Sequence, residues 1–104
     1  MNLRDLLEEA AIGHPGIEVV TSPDGSTGWS RGGLLFATAS EDGSLAEFLL
    51  DQAIADAATR TPDVKPSARA AGWVTFSPSV LDDHAADRAE AWFASAHRRL
   101  GPRD

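Results

Sequence analysis

Residues 17–40 read IEVVTSPDGSTGWSRGGLLFATAS, and this stretch decides the fold. Ile17 to Ser22 is β-branched and half polar. Pro23-Asp24-Gly25 follows as a turn with a mechanism: proline presets φ, aspartate bonds the local backbone, and glycine accepts a positive φ. Ser26 to Arg31 is centred on Trp29, Gly32-Gly33 makes a second turn, and Leu34 to Ser40 is the most apolar run. Strands joined by turns this short are antiparallel, because a parallel pair needs a long crossover. The stretch predicts a three-stranded meander with Leu34–Ser40 as the central strand.

Upstream of the meander, Leu3, Leu6, Leu7, Ala10 and Ala11 form one apolar stripe at helical spacing. Asn2 caps that helix, with Asp5 three residues on; Gly13 and Pro15 end it. Downstream, Glu41-Asp42-Gly43 closes the meander. Ser44-Leu45-Ala46-Glu47 fits a capping box and predicts a helix running to about Arg60, its apolar face made by Ala46, Leu49, Leu50, Ala53, Ile54 and Ala57. Thr61–Pro66 reads as a loop and Ser67–Ala70 as a short strand. Trp73–Ser77 is a strong strand by its aromatic and β-branched content. A last helix starts near Ser79 or Val80, with Leu81, Ala85, Ala89, Trp92, Ala96 and Leu100 on one side and a Gly101-Pro102 stop. The expected order is α-β-β-β-α-β-β-α. That is a single α+β domain over residues 1–104: two layers, an antiparallel five-stranded sheet and helices on one face.

The chain has 104 residues, with Asp plus Glu at 16 and Lys plus Arg at 9, for a net charge of −7. Such a balance argues against a general nucleic-acid binder, whose affinity comes largely from displacing phosphate counterions, and against an anionic membrane surface. Cysteine is absent, which excludes disulfides, thiolate zinc sites and thiol catalysis. No apolar run reaches the ~18 residues of a membrane span. Met1-Asn2-Leu3-Arg4-Asp5 lacks an apolar signal core, so a cytoplasmic location is expected.

No arrangement of side chains assembles a catalytic or metal site, and no cofactor is implied. His14 sits in a loop, while His84 and His97 are some 20 Å apart on the last helix at 1.5 Å per residue. Asp83, His84 and Asp87 read as an acid-rich first turn complementing the helix dipole. Arg31-Gly32-Gly33 lacks the spacing of a phosphate loop. The aromatics carry more. Alternate residues of a strand face opposite ways. If Ala37 and Ala39 face the helices, Phe36 faces away, beside Trp29 or Trp73. With Arg31 and Arg69 these residues define the expected binding surface: Trp29, Arg31, Phe36, Arg69 and Trp73.

The element order resembles the MmcQ/YjbR-like fold, which the type III secretion chaperones share in topology. Arg31-Gly32-Gly33-Leu34-Leu35-Phe36-Ala37-Thr38-Ala39 is similar to that family's strand after a glycine turn. Gly72-Trp73-Val74-Thr75-Phe76 is similar to its tryptophan-centred strand, and also resembles a bacterial luciferase-domain group. The resemblance implies a bacterial protein and a double-wing nucleic-acid binder, its wings near Pro23-Asp24-Gly25 and either Gly32-Gly33 or Ala71-Gly72. The residues themselves favour a non-catalytic binding module for a protein partner or a second copy, with Phe36 and Trp73 at the contact. A small-ligand cleft near Trp29 and Trp73 is the remaining alternative.

Overall fold

A computed structural model describes residues 2–100; the Gly101-Pro102 stop lies outside them. Helix α1 spans Leu3–Ile12, capped by the Asn2 side chain, which accepts from the Asp5 amide at 2.9 Å. Strands β1 (Ile17–Thr21), β2 (Thr27–Arg31) and β3 (Leu34–Ala39) form the expected meander. Its first turn closes through Ser22 N–H to Ser26 O and Gly25 N–H to Ser22 O, both 2.9 Å. Gly25 takes φ 87°, a left-handed conformation that favours glycine. The Asp24 carboxylate accepts from the Ser26 amide and hydroxyl.

The capping box does not start a helix. Ala46–Leu49 is a fourth strand, β4, and helix α2 is only Gln52–Ala58. The Ser44 hydroxyl donates to Asp42 at 2.8 Å instead of capping Glu47, so residues 40–45 form a tight turn between antiparallel strands. Ala46 and Phe48 are buried while Glu47 and Leu49 are half-buried, a period of two and not of 3.6. The short strand expected at Ser67–Ala70 lies instead at Val64–Pro66 (β5), followed by β6 (Trp73–Phe76) and α3 (Asp83–Arg99). Asp82 caps α3, accepting from the Ala85 amide at 2.9 Å, so this helix begins later than its sequence suggests.

Among the described residues the sheet has six strands and not five, in the order β1-β2-β3-β4-β6-β5, every pair antiparallel. Helices α1 and α3 pack on each other and on one face of it, and Ala55 and Ala58 of α2 join the same core. Along α3 the buried residues are Ala85, Ala89, Phe93, Ala96 and His97. The stripe is turned by one position at its middle. Phe93 points at β2 and β3, meeting Trp29 and Phe36 edge-on at 5.7 and 5.2 Å between centroids. Trp92 is half-buried at the rim against Phe48 and Phe76.

Phe36 is 0% exposed and lies under α3, which corrects the expectation that it faces away from the helices. A bulge explains the difference. Trp29 pairs with Ala37 but Ser30 pairs with Leu35, leaving Phe36 as an extra residue. The strand phase slips there, and Phe36 and Ala37 both turn to the helices.

Candidate functional site

The five residues singled out from the sequence fall on opposite faces of the sheet. Trp29 and Phe36 belong to the core beneath α3. Arg31 runs along the same side, its Nη1 donating to the His97 carbonyl at 3.2 Å and lying 3.4 Å from His97 Nδ1. His97 Nε2 is 2.8 Å from the Pro15 carbonyl, which can only accept, so Nε2 carries the proton and Nδ1 accepts from Arg31. His14 stacks on His97 at 4.8 Å between centroids. Burial, and then His97 beside it, hold the His14 pKa below its ordinary value. Both nitrogens of His97 are engaged, and the set ties the 13–16 loop to the last turn of α3.

Arg69 and Trp73 lie on the other face. The row Val20, Gly28, Thr38, Glu47, Thr75, Lys65 crosses it strand by strand. Glu47, expected as the second member of a capping box, instead lies on β4 at the centre of this face. Its Oε1 accepts from Thr38 Oγ1 at 3.3 Å and from Arg69 Nη2 at 3.1 Å. Its Oε2 accepts from Thr75 Oγ1 at 3.4 Å and from the Ser67 hydroxyl. The Arg69 guanidinium also lies 5.0 Å over the Trp73 ring. Burial pushes the Glu47 pKa up, but the hydrogen bonds from Ser67, Arg69 and Thr38 and the Arg69 charge outweigh it and hold it below the usual range. A carboxylate so fully engaged anchors the 67–70 loop over Trp73 and has no oxygen left over for general base work. Among the described residues no three His, Cys, Asp or Glu side chains gather as a metal would need, and no helix is long and apolar enough to cross a membrane.

The surface that stands out is one the sequence did not single out, the outer edge of β1. Counting back in twos from the Ser22–Ser26 bond, Val20 and Glu18 turn their backbone groups to β2. Ile17, Val19 and Thr21 therefore turn theirs outward. Val19 is 60% and Val20 51% exposed, and Ile12 at the end of α1 is 86% exposed. Between α1 and this edge runs a groove of about 450 Å³, with Ala11, Ile12, Ile17 and Val19 among its walls and Trp29 beneath. The buried Trp29 indole N–H has no acceptor among the described residues. Strand β5, at the opposite edge, is three residues long and carries Lys65 and Pro66.

No protein-family model matches this chain, and no curated protein matches it.

Proposed function

We propose that the chain is a non-catalytic binding module that docks through the β1 edge and the apolar groove beside it. One observation carries the reading: the two edges of the sheet are treated differently. Folded proteins protect free edges with short strands, lysine, proline or bulges, because an unpaired row of N–H and C=O groups recruits another strand. β5 has three of these devices, being short and bearing Lys65 and Pro66. β1 has five residues, neither lysine nor proline, and two exposed valines. Strand addition at such an edge supplies affinity through the backbone, while neighbouring grooves take alternate side chains. The polar atoms that do converge, around His97 and Glu47, are bonded to one another, which favours binding over catalysis. The net charge of −7 weighs against the double-wing nucleic-acid reading that the MmcQ/YjbR-like resemblance implies. That resemblance rests on residues 31–39 and 72–76.

A photo-crosslinking residue placed at Val19, in the cells that make the protein, tests the reading against the same residue at Lys65. A specific adduct at position 19 and none at 65 is expected. Absence of any adduct at position 19 contradicts the β1 edge as a docking surface.

A further inference from the structure

We infer that the occupant of the β1 edge is a second copy of this chain, added antiparallel about a two-fold axis through Val19. The inference rests on the docking reading above and names its partner. Ile17, Val19 and Thr21 are the residues whose N–H and C=O face outward, and Val19 is the middle one. A two-fold axis through Val19 lets the strand pair with itself over its full length. Val19 exchanges both hydrogen bonds with Val19 of the other copy, and Ile17 exchanges them with Thr21 on each side. Axes through Glu18 or Val20 would also give an antiparallel ladder, but with two hydrogen-bonded pairs in place of three, and the axis through Glu18 would set carboxylate against carboxylate. Axes through Ile17 or Thr21 would leave most of the ladder unpaired.

The side chains agree with the same register. On the helix side, Val19 meets Val19, next to the groove that Ile12 and Ile17 border. On the open side Glu18 lies opposite Val20, so no carboxylate directly faces another. Directly opposed like charges would be destabilising, and apolar pairs at these positions stabilise a ladder. The exposed valines of both copies are covered at once, and the edge disappears because two six-stranded sheets become one. What opposes the pairing is charge: each copy carries −7, with Glu8 and Glu18 close to the contact. The association is therefore strengthened by salt, which screens that repulsion.

Sedimentation equilibrium of the intact chain, from micromolar to millimolar at low and high salt, is the test. The mass is expected to rise from one chain to two and to do so at lower concentration in high salt. Val19→Lys places charge against charge at the axis and should weaken the dimer by at least about tenfold. Thr21→Pro removes an outward N–H that β2 does not use, and should weaken it while the circular dichroism of the monomer is kept. Lys65→Glu, at the other edge, should leave the mass unchanged. A chain that stays monomeric throughout, or a dimer that both β1 variants leave intact, overturns the second copy. A monomeric chain whose position 19 still crosslinks in cells to a different protein overturns the second copy alone. Monomer and no adduct together overturn the docking edge as well.

Discussion

Phe93 shows how far a side-chain pattern can be read without its neighbours. A helical stripe through Ala85, Ala89 and Ala96 passes between Trp92 and Phe93, and the larger ring is the natural choice for the core. The structure chooses Phe93 because α3 straddles the sheet. The three alanines let the helix sit close to its neighbours, and the 93 side chain then falls between Trp29 and Phe36. Removing a fully buried phenylalanine loses its transfer free energy and leaves a cavity. Phe93→Ala should cost about 3–5 kcal/mol, a large share of the stability of a domain this size. Trp92→Ala, at the half-buried rim, should cost distinctly less. Urea titrations of the two variants check this order; an equal or reversed order would mean that the helix phase is wrong.

At the scale of elements, the informative case is β4. Ser44 to Glu47 satisfies the spacing of a capping box, and the residues after it contain apolar positions at helical steps. Four residues can satisfy both a helical and an alternating pattern, and here Phe48 and the hydrogen bonds of the 40–45 turn decide for the strand. The consequence is Glu47 on the open face instead of on a helix. Glu47→Ala leaves three hydroxyls and the Arg69 guanidinium without their acceptor and should destabilise by about 1–3 kcal/mol. The carboxylate has a lowered pKa in the folded chain, so its contribution is fully present above the unfolded value of about 4.3 and is lost as pH falls through the folded one. Glu47→Gln should therefore flatten the acid limb of stability against pH. A limb unchanged in the variant would show that this network does not set it. The meander, α1, β6 and the existence of α3 were legible, because short turns, caps and stripes are local. The bulge at Phe36 and the strand at Ala46–Leu49 were not, since each depends on a partner strand far along the chain. For the same reason Trp29, Arg31, Phe36, Arg69 and Trp73 could be picked out as notable side chains but not assigned to their faces.

For the molecule as a whole, the open question is where the sheet ends. Three helices fill one face, and Glu47 with its partners makes the other polar, so neither face asks for a cover. Phe36 is unavailable to a partner because it lies wholly under α3. What is left is an edge, and which strand is at the edge follows only from the order β1-β2-β3-β4-β6-β5, which no local pattern in the sequence reports. The central claim is that the sheet continues past β1 in the assembled protein. Residue-resolved amide hydrogen exchange, in dilute and in concentrated solution, tests it most directly. Glu18 and Val20, bonded to β2, should exchange slowly in both. Val19 and Thr21 should exchange fast in the dilute protein and slow markedly in the concentrated one. Fast exchange of Val19 and Thr21 at every concentration, with Glu18 and Val20 protected throughout, would contradict the claim.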